Sequence, residues 1–166
     1  MINYTISYSN PHRHFVDFEL STTTNGADKM QFQLPAWRPG RYELADFAQN
    51  IQKWGVFDEN NKALPFKKIT KDLWEVETEL AIKVTVVYNF YANQIDAGAC
   101  YLDEHQLYLN PVHCMFYIVD RMEEEYQLNI DLPESYKIAS SMCQEENTLK
   151  VKGYDLLAES PIICSD

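Results

Sequence analysis

Residues 82–91 read IKVTVVYNFY and carry the clearest strand pattern in the chain. Successive side chains of a strand point to opposite faces of a sheet, so a period of two places every second residue on one face. One face here is entirely apolar, with Ile82, Val84, Val86, Tyr88 and Phe90. The opposite face mixes Lys83, Thr85 and Asn89 with apolar residues, which is typical of a sheet with one solvated side.

The same period of two recurs on both sides of this segment, and polar turns separate the repeats. Strands are predicted at residues 2–8, 16–20, 30–34, 54–57, 64–69, 73–77, 107–109, 114–119, 126–132, 136–139 and 149–151. Many short strands with almost no helix favour an all-β fold, specifically an antiparallel β-sandwich. We expect one helical turn at residues 154–157.

Composition sets limits on both fold and function. A chain of 166 residues is long enough for one domain with its own hydrophobic core. With 25 acidic and 14 basic side chains, the net charge of -11 opposes binding to nucleic acid or to anionic lipid. No apolar run is long enough to span a membrane and no signal peptide is visible, so we expect a cytoplasmic protein. The four cysteines are scattered, which favours reduced, structural thiols.

Residues 34–52, LPAWRPGRYELADFAQNIQ, have chemistry that one more strand would not need. Pro39 and Gly40 suit the two central positions of a type II turn. Trp37 and Tyr42 flank that turn with large rings, between the positive charges of Arg38 and Arg41. The segment is therefore either a packed loop that closes one end of the domain or a surface that faces a ligand.

A short amphipathic helix is predicted directly after this turn. Leu44, Phe47, Ala48 and Ile51 repeat at the spacing i, i+3, i+4, i+7, which places them on one helical face. We expect this face to anchor the segment to the core.

Motifs for hydrolytic catalysis are missing from the sequence. It contains no HExxH zinc motif, no GxSxG nucleophile turn and no glycine-rich phosphate loop. The histidine pairs His12/His14 and His105/His113 lack the spacing of a metal site, so we expect no metal and no catalytic residue in this chain. Cys100 paired with a histidine, or the carboxylates at 103–104 and 123–125, remain weaker alternatives for a hydrolase.

The stretch LPAWRPGRYELADFAQNIQ, followed by TKDLWEV, VTVVYNFYANQ, AGACYLDEHQLYLNP and YDLLAESPI, resembles a known family nearly end to end. This family is the glycyl-aminopeptidase family of zinc metallopeptidases, metallopeptidase family sixty-one, and the resemblance is to its N-terminal domain. Its most specific part is W-x-P-G-x-Y followed by Asp46-Phe47-Ala48. The YAN at 91–93 and the YLD at 101–103 support it.

The resemblance implies that this domain and the catalytic domain have different roles. Residues 1–153 would form the noncatalytic β domain, and residues 154–166 would lead into a catalytic domain that carries the zinc. The chain alone is then expected to be inactive, and its partners would be that catalytic domain and, through it, a peptide substrate. Interface or substrate-cleft candidates on this reading are Trp37, Arg38, Pro39, Gly40, Tyr42, Asp46, Phe47, Asn93 and Asp103.

Two of these candidates carry a more specific expectation. Asp46 and Asp103 are acids that could hold the ammonium group of a substrate. The alternative outside this family is a freestanding β-sandwich module that binds carbohydrate or peptide through exposed Trp and Tyr side chains.

Overall fold

The computed structural model describes residues 1–166 except Pro39, Tyr42 and Ala97. Fifteen strands are present in this part of the chain. They are β1 (Ile2–Ser7), β2 (Phe15–Thr23), β3 (Lys29–Gln33), β4 (Ile51–Asp58), β5 (Phe66–Lys68), β6 (Leu73–Glu77), β7 (Lys83–Tyr91), β8 (Tyr101–Leu102), β9 (Gln106–Leu109), β10 (Tyr117–Ile118), β11 (Glu125–Ile130), β12 (Lys137–Ala139), β13 (Cys143–Glu145), β14 (Thr148–Lys152) and β15 (Ile162–Ser165).

Helices are few and short in the described residues. Two are α-helical, α1 (Pro111–Cys114) and α2 (Tyr154–Ala158), and two are 3-10 turns at Pro11–Arg13 and Phe47–Asn50. The helical turn predicted at residues 154–157 is thus confirmed. The predicted all-β fold is also confirmed.

The strands form three sheets. The largest has seven strands in the order β13-β14-β11-β1-β2-β7-β4. Two four-stranded sheets have the orders β10-β3-β6-β5 and β12-β15-β9-β8. All pairs of neighbouring strands are antiparallel except β1 and β11, where Ile2 lies opposite Tyr126 in a parallel pair.

The core lies between the sheets, because each sheet turns its alternating apolar face inward. From β7 the inward residues Val84, Val86, Tyr88 and Phe90 are buried, as the alternation predicts. Ile82 differs: it precedes the strand and is 71% exposed. Aromatic rings from two sheets meet at Phe116, whose centroid lies 4.9 Å from Tyr88 and 5.1 Å from Trp74.

The helix predicted from the stripe at residues 44–51 is shorter than expected. Only Phe47–Asn50 is helical, as one 3-10 turn, and Ile51 is already the first residue of β4. Leu44 does not join the core, since it is 83% exposed. The reason lies upstream, where the Ala45 N–H donates to the Ala36 carbonyl at 2.8 Å and so is not available to a helical turn.

The strand predicted at residues 114–119 is wrong in its first half. Asn110, the residue after β9, is extended and is the N-cap residue of α1, and Pro111 occupies the first helical position. A helical turn therefore forms here, and β10 begins only at Tyr117. Residues 154–166, predicted as a junction, contain α2 and β15, and β15 pairs with both β9 and β12. That this segment also leads into a second domain stays a prediction.

Candidate functional site

An open groove of about 700 Å³ runs beside the loop that precedes Pro39. Its walls come from that loop, from the region around α1 and from α2, and they include Pro35, Trp37, Arg38, Val112, Tyr117 and Tyr154. Asp155 and Glu159 on α2 add carboxylates to the lining. The groove is mostly apolar, which suits an apolar surface of another molecule or domain.

Backbone hydrogen bonds hold the loop at the edge of the groove. The Leu34 N–H donates to the Asp72 carbonyl at 2.8 Å, which ties the start of the loop to the residue before β6. The Arg41 N–H donates to the Arg38 carbonyl at 3.4 Å, and Gly40 has a φ of +85°, a backbone conformation that favours glycine. These features fit a tight reversal. The predicted type II turn also includes Pro39, and that residue lies outside the described part of the chain, as does Tyr42.

Asn110 fixes the start of α1 against the neighbouring loop. Its buried side-chain amide donates to the Ala99 carbonyl at 2.9 Å and to the Tyr108 hydroxyl at 3.1 Å. The thiol of Cys114 donates to the Asn110 carbonyl at 3.4 Å. Buried polar groups that are satisfied in this way make a site rigid, so α1 is held in one position relative to the groove.

Tyr154 forms part of the groove floor and joins α2 to the core. Its hydroxyl donates to the Met115 carbonyl at 2.8 Å, and its ring centroid lies 4.9 Å from that of Tyr117. Burial raises the pKa of Tyr154 well above its ordinary value, so the phenol stays neutral. Its role here is structural, as donor and packing surface.

His113, on α1, has a pKa well below the ordinary value for a histidine. Its ring stacks on Phe47, with centroids 3.9 Å apart and planes 21° apart, and the residue is only 9% exposed. Burial is the main cause that lowers its pKa from 6.5 to about 4; the positive charges of Arg38 and Arg41 lower it further, and Asp96 opposes them. His113 is therefore neutral at pH 7.

The predicted site residues divide into two groups. Trp37 and Arg38 line the groove, Phe47 stacks on His113 of α1, and Trp37 is 49% exposed. The other group, Gly40, Asp46, Asn93 and Asp103, does not line this groove.

The two acids expected to hold an ammonium group have other partners. The Asp46 carboxylate lies 3.5 Å from the Lys71 ammonium. Asp103 accepts from the backbone N–H groups of His105 and Gln106, both at 2.9 Å, and these bonds contribute to the lowered pKa of Asp103. Asp103 therefore stabilises the turn between β8 and β9.

Asn93 lies next to the same strands. Its side-chain amide donates to the Tyr91 hydroxyl at 3.0 Å, and its backbone bridges to Tyr101. A ligand role for Asn93 and Asp103 has no support from these contacts, and it stays a prediction.

Sequence reasoning missed two residues near Arg38. Gly98 lies directly under the Arg38 guanidinium, so closely that a Cβ at this position would overlap it. Asp96 accepts from the Gly98 N–H at 2.7 Å, and an Arg41 nitrogen lies 3.9 Å from the same carboxylate. Nothing in the local sequence connects Asp96 and Gly98 to Arg38 across the intervening strands.

The described residues give little support to a cysteine nucleophile or to a metal site. Cys100 is buried, and its thiol contacts the backbone of Asn110 on both the donor and the acceptor side. No group of three or more His, Cys, Asp or Glu side chains outside positions 39, 42 and 97 is arranged to hold a metal ion. The histidines at 12 and 105 each lie near Glu104, and both side chains are more than 70% exposed.

Comparisons with known proteins agree with this fold. A crystal structure of an aminopeptidase N family protein from Idiomarina loihiensis superposes with a TM-score of 0.91 at 26% identity, over 100% of this chain and 29% of that chain. An M1 zinc metallopeptidase from Deinococcus radiodurans matches with a TM-score of 0.54 at 10% identity, over 99% of this chain and 41% of that chain. No curated protein sequence matches significantly.

A third structure, Legionella pneumophila aminopeptidase A in complex with aspartic acid, matches with a TM-score of 0.53 at 11% identity, over 99% of this chain and 21% of that chain. At such low identity the second and third structures support the fold alone. The chain spans well under half of each of these three proteins. The family model described as the peptidase M61 N-terminal domain matches residues 3–166, nearly the whole chain. The predicted resemblance is therefore confirmed, and the chain belongs to the peptidase M61 N-terminal domain family.

Proposed function

We propose that this chain is the noncatalytic N-terminal β domain of a zinc metallo-aminopeptidase, where it packs on the catalytic domain and helps shape the substrate cleft. One observation carries the proposal: the match to an N-terminal peptidase domain covers residues 3–166, while the similar Idiomarina loihiensis protein is more than three times as long. A chain that matches one domain of longer proteins so completely is best understood as that domain.

The groove supplies the surface for such packing. Trp37 is 49% exposed at its edge, and Leu156 on α2 is 57% exposed. Exposed aromatic and aliphatic side chains beside an apolar depression are typical of a surface that another domain covers. We assign Trp37 to the interface between the domains, with residues 154–166 leading toward the catalytic domain.

Zinc would bind outside this chain. The described residues contain no group of three or more possible ligands arranged to hold a metal ion; His12 and His105 both lie near Glu104, and His113 stacks on Phe47. The side chains of this domain would then take no part in the zinc chemistry. No helix in the described part of the chain is long and apolar enough to cross a bilayer. The four cysteines are unpaired, which favours a reducing compartment such as the cytoplasm.

The direct test measures zinc content and aminopeptidase turnover for residues 1–166 and for the polypeptide encoded by the complete reading frame. We expect neither zinc nor turnover in the 166-residue chain, and both in the longer polypeptide. Stoichiometric zinc with turnover in the short chain would refute the proposal. A complete reading frame without a catalytic domain would also refute it.

A binding module for carbohydrate or peptide makes the opposite prediction for Trp37. Its exposed ring would then bind ligand in the chain alone, and a Trp37→Ala variant would lose that binding. Glycan-array screening of the unaltered chain and of the Trp37→Ala variant separates the two functions. If Trp37 belongs to a domain interface, neither protein should bind a glycan.

A further inference from the structure

Two buried nitrogen atoms near the groove have no hydrogen-bond partner among the described residues. They are Nε2 of His113 and Nε of Arg38. Leaving a buried polar atom unpaired is unfavourable, so such atoms call for an explanation. His113 is more than nine-tenths buried, and its stacking on Phe47 fixes the ring plane.

Arg38 lies close enough to this histidine for its positive charge to act on the imidazole. Its guanidinium rests on Gly98, where no side chain larger than hydrogen would fit. Arg38 also lines the groove, so this cationic group is reached from the same side as Trp37. A guanidinium presents its N–H groups in a planar fork that matches a carboxylate.

The charges around His113 leave an excess of positive charge. Arg38, Arg41 and Asp96 are the charged groups that act on its imidazole. Asp96 is the only acid among them, and it is already bonded to the Gly98 N–H and to the Gln94 side chain. With His113 neutral, the groups that act on its imidazole are two guanidinium groups and one carboxylate, which is an excess of one positive charge; Asp155 and Glu159 line the groove on the side of α2.

We propose that Arg38 and His113 form a binding site for a carboxylate group next to the part of the groove that Arg38 lines. A bound carboxylate would accept hydrogen bonds from the Arg38 guanidinium and from the imidazole, and it would neutralise the excess charge. The carboxylate could come from an acidic peptide or from an Asp or Glu of a following domain. Carboxylate binding does not depend on the proposed function. Only a carboxylate from a following domain rests on that function.

The test is an NMR titration of the 166-residue chain with sodium acetate, with sodium chloride as the ionic-strength control. We expect the His113 ring resonances to shift saturably with acetate and not with chloride. The pKa of His113, about 4 in the free chain, should rise by about one unit, because a nearby anion stabilises the imidazolium. That rise means that acetate binds the protonated form about tenfold more tightly.

Two variants test whether Arg38 forms the site, one by removing its charge and one by moving its guanidinium. Arg38→Gln should abolish the response to acetate. Gly98→Ala keeps every charge but displaces the guanidinium, and Gly98 has no positive φ that would strain an alanine. This variant should weaken acetate binding at least tenfold with an unchanged unfolding midpoint. Arg13→Gln, at an exposed position, is the matched control and should bind acetate normally.

The source of the carboxylate is decided in the polypeptide encoded by the complete reading frame. A His113 pKa that is already raised there, with no response to acetate, assigns the carboxylate to the following domain. A low pKa that rises with an added Gly-Asp peptide assigns it to a peptide ligand. If acetate fails to shift His113 in the 166-residue chain, or if Gly98→Ala binds it as well as the unaltered chain does, the proposal is wrong.

Discussion

The hydroxyl of Tyr4 makes two hydrogen bonds to the backbone of Phe116. It accepts from the Phe116 N–H at 2.9 Å and donates to the Phe116 carbonyl at 3.0 Å. Tyr4 belongs to β1 in the seven-stranded sheet, whereas Phe116 directly precedes β10 in the sheet that contains β3. One fully buried side chain thus joins two sheets of the sandwich.

Replacing Tyr4 by phenylalanine should destabilise the domain by about 3 kcal/mol, because it leaves two buried backbone groups without partners. Urea unfolding followed by far-UV circular dichroism measures the change. We expect a lower midpoint with an unchanged slope. An unaltered midpoint would mean that water or a rearranged backbone replaces the hydroxyl.

Tyr126→Phe is the matched comparison, with the opposite expectation. Tyr126 is also fully buried on a strand of the large sheet, but its hydroxyl has no hydrogen-bond partner among the described residues. Removing a buried, unpaired hydroxyl relieves its desolvation cost, so stability should stay the same or rise by about 1 kcal/mol. A loss as large as that of Tyr4→Phe would show that this hydroxyl has a partner after all.

Stability should fall as the pH decreases from 6.5 to 4, and His113 should account for most of the fall. The unfolded chain takes up a proton on this side chain near pH 6.5, but the folded chain does so only near pH 4. The stability is fully present above pH 6.5 and is lost progressively below it, by about 3 kcal/mol in total. Glu75 and Glu124 have pKa values lowered to about 2, so their contribution is lost mainly below this window.

Unfolding measured across this range in a His113→Gln variant checks the assignment. The variant should show a much flatter profile between pH 4 and 6.5. His105→Gln is the control, since its side chain is 75% exposed. Equal slopes in both variants would assign the pH dependence to other groups.

Fluorescence quenching tests whether Trp37 lies at a domain interface. Trp37 is half exposed in this chain, whereas Trp74 is buried, so acrylamide should quench one fraction of the emission easily. That fraction should disappear in a Trp37→Phe variant. It should also be protected in the polypeptide encoded by the complete reading frame; equal quenching in both lengths of chain would place Trp37 outside the interface.

The long strands could be predicted from the sequence because their pattern is local. Residues 73–77 and 83–91 alternate regularly, and the structure has strands with nearly the same bounds. Short stripes are less specific. Leu44, Phe47, Ala48 and Ile51 fit one helical face, but four positions cannot distinguish a helix from a single turn followed by a strand, and the structure has the latter.

The candidate site was only half predictable for a different reason. Trp37 and Arg38 belong to a conspicuous motif, so the sequence pointed to them directly. His113, Asp96 and Gly98 acquire their role only where separate loops meet. The placement of Pro111 at the first position of α1 was the one available signal for His113, because it predicts a helical turn rather than a strand.

The parallel pairing of β1 with β11 has a consequence for how the chain is made. Because Ile2 lies opposite Tyr126, β1 cannot complete its sheet until β11, which lies far along the chain, has also been synthesised. Pairings between such distant segments slow folding and leave a strand edge exposed in the meantime. Nascent chains that stall before β11 emerges would therefore be substrates for chaperones.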